Sequence, residues 1–439
     1  MQRKNIPKFN ENPLNASFRL AIKGCSVGTV FLAGGISAAY ANGIVGLNEA
    51  AVQNGADPAY VESTGGDKFD IKVPATDTTV TVGGYVRGDF RYDDSSDLGD
   101  SFVVSSIPVD DSALDQRNGF TRLHARQSRL RVRSNTELES GTTLTTHFEG
   151  DFFGAGGNES FSNSSSFRLR HAYATYGGLT IGQVWTNFMD FVAYPTTVDF
   201  FGPAGKSFIR QTVIKYTFNN GLSFSLENPE TDGQGAVGRI RESTGGPGQD
   251  ELPDITAAWR GGPGGAGGSY EFSGVFRFLG VDGAILDADG EPTAVVVDEQ
   301  ETGFGINLAG AWDFGRVALA GSFTFGDGIG RYIINGAAND IFVTDTGDVE
   351  TVESMSLSAN IKLNWTSGSS SLLAFGHFEN DNPLESNGID NLQTVHLNYI
   401  WTPWPASSFG VELIQGFLEN ADGTEGDATR LAFGAQLNF

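Results

Sequence analysis

Thr78 to Asp93 reads TTVTVGGYVRGDFRYD. Val80, Val82, Gly84, Val86, Gly88, Phe90 and Tyr92 are small or apolar, and Thr81, Tyr85, Arg87, Asp89 and Arg91 alternate with them. A strand points successive side chains to opposite faces, so this stretch has one apolar and one polar face. Met355, Leu357, Ala359, Ile361, Leu363 and Trp365 repeat the pattern, as do Val317, Leu319, Phe323 and Phe325, and Phe304, Ile306, Leu308 and Trp312. Each run covers about 9 to 13 residues, the length with which a tilted strand crosses a bilayer, whereas soluble sandwich strands average nearer 5 or 6.

Composition points the same way. The 439 residues include 59 Gly and 33 Phe but only 18% charged residues, which is poor in the Lys and Glu of soluble helix faces. No apolar run is long enough for a membrane-spanning helix. The formal charge of −25 disfavours a nucleic-acid partner, because polyanions bind basic surfaces. Cys25 is the single cysteine, so a disulfide framework and Cys-ligated zinc drop out.

The amino-terminal segment carries an export pattern. Arg3, Lys4, Lys8, Arg19 and Lys23 precede the short apolar run Ser26 to Ala39, and Ala39-Tyr40-Ala41 is a small-residue cleavage site. The expected organisation is a signal peptide over 1–41, a short periplasmic leader over 42–75 and a barrel over 76–439.

Sixteen strands are expected, starting near Thr78, Thr121, Thr142, Phe167, Leu179, Phe208, Leu222, Pro253, Ser269, Thr302, Arg316, Glu353, Ser371, Leu392, Ser407 and Asp427. Links after even-numbered strands are tight, as at Gly177-Gly178 and Phe314-Gly315. Those after odd-numbered strands are long, as at Asp93 to Gly119, Asn187 to Ser207, Asn228 to Leu252 and Asp327 to Val352. Short periplasmic turns and long extracellular loops define an all-β transmembrane antiparallel β-barrel of the Gram-negative outer membrane. Leu431, Phe433, Ala435, Leu437 and Phe439 alternate to a terminal aromatic residue. Leu431, Phe433, Leu437 and Phe439 thus form a candidate assembly signal for the barrel-assembly machinery, and outer-membrane lipid and lipopolysaccharide are the expected surroundings.

A barrel of this size encloses an aqueous lumen, so function depends on its lining. Between Thr121 and Ser134 the apolar parity changes from Leu123 and Ala125 to Leu130 and Val132. A one-residue bulge near Gln127 reconciles the two halves. It puts Arg122, His124 and Arg126, then Arg129, Arg131 and Arg133, on one lumenal face. Arginine facing lipid costs roughly 2 to 4 kcal/mol near the midplane, which forces this phasing. Arg168 and Arg170 on the fourth strand, and Arg87 and Arg91 on the first, extend the wall. A basic wall in a narrow pore selects anions. The alternative is that these arginines pair with Asp89, Glu149 and Asp151 and stiffen the barrel. Asn187 to Ser207 is unusually aromatic for a loop, with Met189, Phe191, Tyr194, Phe200 and Phe201. Folding into the lumen as a constriction explains this, with Asp190, Asp199 and Lys206 as candidate charges facing the arginines; packing against a neighbouring subunit is the other option.

Several blocks together resemble the DcaP-like outer-membrane porins: TDTTVTVGGYVRGDFRYD (76–93), TRLHARQSRLRVR (121–133), HFEGDFFGAGGN (147–158), RLRHAYATYGGLTIGQVWTNFMD (168–190), FGPAG (201–205) and GDGIGRYI (326–333). The resemblance is dense from Thr76 to about Gln211 and returns in patches to Phe439. It implies a homotrimeric sixteen-stranded porin that takes up small organic anions such as dicarboxylates. It also implies that the arginines at 122, 126, 129, 131, 133, 168 and 170 line the channel. Members of the family can carry a longer helical segment before the barrel, and Asn42 to Asp67 is too short and Gly-broken to match one.

An enzyme is not expected. His124, His147 and His171 fall on successive strands, but His171 shares the parity of Leu169 and Tyr173, and no motif orients a nucleophile. Asp287, Asp289 and Gly290 do not continue to a calcium loop's twelfth ligand. No cofactor and no bound metal are expected. A general diffusion porin, or a structural or receptor barrel without a dedicated substrate, is the competing function.

Overall fold

A computed structural model describes residues 69–115, 119–156, 160–235, 238–239, 248–286, 291–333, 338–344, 346–383 and 388–439. The signal segment with Cys25, the leader up to residue 68 and the Asp287–Gly290 stretch lie outside these residues.

Sixteen antiparallel strands form the wall. They are β1 (Thr78–Asp93), β2 in two pieces (Phe120–His124 and Arg129–Glu137), β3 (Thr143–Asp151), β4 (Arg168–Tyr176), β5 (Leu179–Trp185), β6 (Arg210–Thr217), β7 (Leu222–Glu227) and β8 (Asp254–Gly261). The second half comprises β9 (Ser269–Leu286), β10 (Pro292–Asp313), β11 (Val317–Asp327), β12 (Glu353–Thr366), β13 (Ser369–Asn380), β14 (Ile389–Trp401), β15 (Ser407–Asn420) and β16 (Glu425–Asn438). β16 pairs back onto β1 from Tyr85↔Asn438 to Asp93↔Arg430, which closes the sheet. Closure removes the free edges that hydrocarbon would not tolerate. No α-helix occurs among the described residues.

Side chains follow the expected alternation. On β1 Val86 and Tyr92 are exposed to the outside, while Tyr85, Asp89, Arg91 and Asp93 are buried within. On β16 Leu431, Phe433 and Leu437 point outward, and Ala428, Arg430 and Ala432 point in. The tight links, including 177–178, 218–221, 314–316 and 367–368, all fall at one end. The long loops L1 (94–119), L2 (152–167), L3 (186–209), L4 (228–253) and L6 (328–352) fall at the other.

Two local departures matter. Residues 69–72, expected in the leader, pair with β1 from Phe69↔Val82 to Lys72↔Thr79 and so extend the sheet. β10 begins at Pro292, about ten residues before the expected start near Thr302, because the β9–β10 hairpin rises past the wall. There Leu279, Val281, Ile285 and Val297 pack with Ile341, Val343 and Val349 of L6. That apolar cluster gives the taller hairpin its own small core.

The β2 bulge is where the parity change requires it. Asp89 pairs with His124 and Tyr85 pairs with Arg129, so three residues of β1 (86–88) oppose four of β2 (125–128). Leu123, Leu130 and Val132 consequently face outward, opposite the arginines. Leu130→Arg is expected to lower folding stability in liposomes by roughly 2 to 4 kcal/mol, the cost of arginine on the lipid face near mid-height. Urea titration of the folded barrel measures this, and an unchanged midpoint would contradict the assigned face.

Candidate functional site

L3 leaves β5 after Trp185 and runs through the lumen to β6. Wall side chains hold its backbone at intervals. Glu227 accepts the Asn187 amide at 2.8 Å, Glu271 accepts that of Val192 at 3.4 Å, and Glu412 accepts that of Val198. Thr394 Oγ1 accepts the Ala204 amide at 2.8 Å, while the Asn360 and Asn398 amides donate to the carbonyls of Ala193 and Thr196. A loop that starts on β5 is thereby tied to β12, β14 and β15 across the barrel. Glycines make room for these close contacts. A Cβ on Gly376 would stand 2.2 Å from the Ala204 carbonyl oxygen, and one on Gly416 would strike Phe102 of L1 at 2.6 Å.

The loop's aromatic residues are covered rather than wetted. Trp185, Met189 and Phe191 form one buried cluster with Tyr194 and Phe208. Phe188 joins Leu98, Phe102, Val104 and Ile107 of L1 and Ile329, Tyr332 and Ile333 of L6 in another. L1 and L6 therefore share the lumen's long-loop half with L3. L6 is fixed by a buried network in which Arg277 pairs with Asp254 at 3.2 Å and Asp340 at 2.8 Å, and Arg331 reaches Asp254 at 3.3 Å.

Below L3 lies a cavity of about 670 Å³. Arg87, Arg129 and Arg170 line one side of it, and Lys362, Asn364, Gln436 and Asn438 line others. Arg91, Arg122, Arg126 and Arg168 stand above, toward L1 and L2. Arg131 and Arg133 stand below, toward the tight turns.

Most of the wall is ion-paired. Arg87 contacts Asp89 at 2.9 Å, and Arg91 reaches Asp89 and Asp199. Arg122 meets Asp97 and Asp100, and Arg126 meets Asp100. Arg129 and Arg170 share Glu149, while Arg168 and Arg170 share Asp151. Arg430 grips Asp93 with two nitrogens at 2.6 and 2.8 Å and also reaches Asp199. Eight arginines thus share seven carboxylates: Asp89, Asp93, Asp97, Asp100, Glu149, Asp151 and Asp199. Aromatic rings separate several of the cations, since Arg126 and Arg168 flank Phe153, and Arg168 and Arg170 flank Phe200. This spacing keeps like charges apart while each guanidinium rests on a π face.

Asp199 joins the loops to the wall. Its carboxylate accepts the backbone amides of Phe102 in L1 and Phe201 in L3 at 3.0 Å each, beside Arg91 and Arg430. Burial alone would raise this carboxyl, but Arg91, Arg430 and the two amides hold it below the ordinary aspartate value. Asp100 behaves alike: burial opposes ionisation, and Arg126 overcomes it. Asp190 is the reverse case. Burial pushes its carboxyl up, against the hydrogen bond from Ser322 and the nearby Lys206 charge.

Of the three loop charges expected to face the arginines, only Asp199 makes ion pairs with them. Asp190 is bonded to β11 through Ser322, and Lys206 donates to the Phe201 carbonyl at 2.8 Å and lies 4.0 Å from the Tyr194 ring centroid. Both are fully buried, so they pin the loop.

His171 corrects the expected parity. Glu149 pairs with His171 but Gly150 with Leu169, so Arg170 is an extra residue in β4. The bulge turns Arg168, Arg170 and His171 all inward and leaves Leu169 outside. Gln183 on β5 donates to the Leu169 and Arg170 carbonyls at 3.3 and 3.1 Å, satisfying backbone that the bulge takes out of the ladder. His171 consequently stands beside His147, with ring centroids 6.2 Å apart. Sequence reasoning also missed Arg430 and the L1 acids Asp97 and Asp100. Arg430 sits at inward parity on the strand that closes against β1, a signal present in the pattern. The L1 acids carry none, because a loop has no period.

A closed sixteen-stranded barrel with a loop folded into a charged lumen defines an outer-membrane channel. The chain belongs to the porin family described as the Porin subfamily, which it matches over residues 71–370. Its fold is similar to the outer membrane channel DcaP of Acinetobacter baumannii, at 24% identity and a TM-score of 0.70, covering 84% of this chain and 99% of that one. It is also similar to an anion-selective porin from Comamonas acidovorans, at 14% identity and a TM-score of 0.51, over 82% of this chain and all of that one. A comparison with curated protein sequences gives no match.

The Asp199 junction has a pH signature. A carboxyl held below its unfolded value stabilises the junction fully above the ordinary aspartate pKa of about 3.9, and that stability is lost as pH falls through the lower folded value. Asp190 has the opposite sign: its raised carboxyl penalises L3 docking increasingly as pH rises above that same value. Asp199→Asn is expected to loosen L1 and L3 at pH 7.5, since breaking a buried pair costs about 3 to 5 kcal/mol. Asp190→Asn should leave docking as tight or tighter. Open-channel current noise and protease cleavage within L1 report this, and equal behaviour of the two variants would contradict the assignment.

Proposed function

We propose that the chain forms an anion-preferring channel for passive uptake of small organic anions of the dicarboxylate kind. The observation that carries this is the excess of arginine over acid on one wall. After eight arginines share seven carboxylates, Arg133 still follows on the inward face of β2 with no ion pair among the described residues. Arginine remains charged at every working pH and binds carboxylates in a planar fork. A substrate carboxylate reaching Arg126, 22% exposed at its side chain, or Arg168, 33% exposed, can share a guanidinium with the resident acid. The proposed channel residues are Arg87, Arg91, Arg122, Arg126, Arg129, Arg131, Arg133, Arg168 and Arg170. The likeness in fold to a porin described as anion-selective supports the preference.

Export through a signal peptide over 1–41, a leader from residue 42, assembly as a homotrimer and recognition of the Leu431, Phe433, Leu437 and Phe439 face by the assembly machinery belong to the same proposal. A general diffusion pore is the alternative, and the extensive ion pairing of the wall favours it. Succinate competition separates the two. Succinate is expected to block chloride current through refolded channels, and Arg126→Gln combined with Arg129→Gln should weaken that block about tenfold, the loss of one or two charge-assisted hydrogen bonds. A block that is absent, or unaltered by the double substitution, would favour the general pore.

A further inference from the structure

We propose that the tight-turn end of the lumen holds a second anion site, centred on Arg133, which binds a small carboxylate as it leaves the channel. The proposal rests on the anion-channel function above and adds a separate place of binding to it.

Arg133, His147 and Tyr173 form one inward row across β2, β3 and β4. The row lies four residues along β2 from Arg129, roughly 13 Å at about 3.3 Å per residue. Above it every acid of the wall is engaged by arginine. At this level Glu137 accepts a hydrogen bond from the Thr143 hydroxyl and pairs with no arginine, and Arg133 makes no ion pair among the described residues. Its Nε is buried with no hydrogen-bond partner. The guanidinium has no counter-ion there, and an oxyanion reaching its open side would supply one in a charge-assisted hydrogen bond.

The surroundings suit such an occupant. A cavity of about 510 Å³ opens beside Arg133, lined by Asn135, Glu137, Thr143, Thr145, Tyr173 and Thr175. The Thr145 hydroxyl donates to Asn135 Oδ1 at 2.8 Å, which turns the amide nitrogen of Asn135 to donate elsewhere. Glu137 accepts the Thr143 hydroxyl at 2.8 Å, which occupies one of its carboxylate oxygens. The Tyr173 ring stacks on His147 with centroids 5.2 Å apart, which fixes the position of its hydroxyl. One guanidinium with hydroxyl and amide donors recognises a carboxylate without enclosing it, as an exit site requires. Two sites in series let an incoming anion displace the one ahead.

The test is succinate block of chloride current, with succinate added to one end of the channel at a time. A Ser140→Cys mark at the tight-turn end, read with an impermeant maleimide, fixes each channel's orientation. Arg133→Gln is expected to weaken block from the tight-turn end about tenfold and block from the long-loop end less than twofold. Arg133→Lys should retain most of the tight-turn block. If Arg133→Gln alters neither end, or both equally, the exit site is wrong while the channel function stands. If succinate blocks the unsubstituted channel from neither end, the channel function fails and the exit site with it.

Discussion

Arginine cannot face hydrocarbon without a penalty of several kcal/mol, and this constraint organises the barrel. It fixes the phase of β2, where one extra residue near Gln127 brings both halves of an arginine series to the same side. It acts again in β4, where the extra residue is Arg170 itself. Once inside, the cations repel one another and require partners. Asp89, Glu149 and Asp151 on the wall supply some of them, and Asp97, Asp100 and Asp199 come from loops that fold in to meet them.

The loops are therefore part of the electrostatic structure of the lumen. L1 brings acids to Arg122 and Arg126, while L3 brings Asp199 to Arg91 and Arg430. In return, carboxylates of β7, β9 and β15 hold the L3 backbone, as Glu227, Glu271 and Glu412 each accept one of its amides. A protein with a formal charge of −25 can in this way present a basic wall to the channel. Its acids lie on exposed loops, beside the arginines, or buried where they hold the L3 backbone. Toward the tight turns Arg133 stands without an ion pair among the described residues, beside the hydroxyls of Thr143, Thr145 and Tyr173 and the Glu137 carboxylate.

Much of the architecture was legible because a lipid-facing strand obeys a strict period of two. The alternation in Thr78–Asp93, the tight turns at 177–178 and 314–316, and the parity break at Gln127 each follow from that period. What escaped notice lacks one. The β4 bulge reads in sequence as unbroken alternation from Arg168 to Tyr173, so His171 was assigned to the wrong face. The partners Asp97 and Asp100 sit in a loop whose path is set by tertiary contacts. The β9–β10 hairpin extends beyond its expected length because L6 covers it, which only long-range packing determines. The aromatic content of L3 pointed to its inward fold, and Met189 and Phe191 are buried there with Tyr194 packed against them, but it gave no sign that Asp190 and Lys206 would be consumed in anchoring the loop.

The central claim is that the arginine excess, and not the acidic surface, sets the field an ion meets in the pore. The zero-current reversal potential of the refolded channel in a planar bilayer under a potassium chloride gradient tests it most directly. A potential of the sign given by chloride permeating faster than potassium is the predicted result. A potential of the opposite sign, or one near zero, would mean that the ion pairs cancel the wall and that the acidic loops govern selectivity.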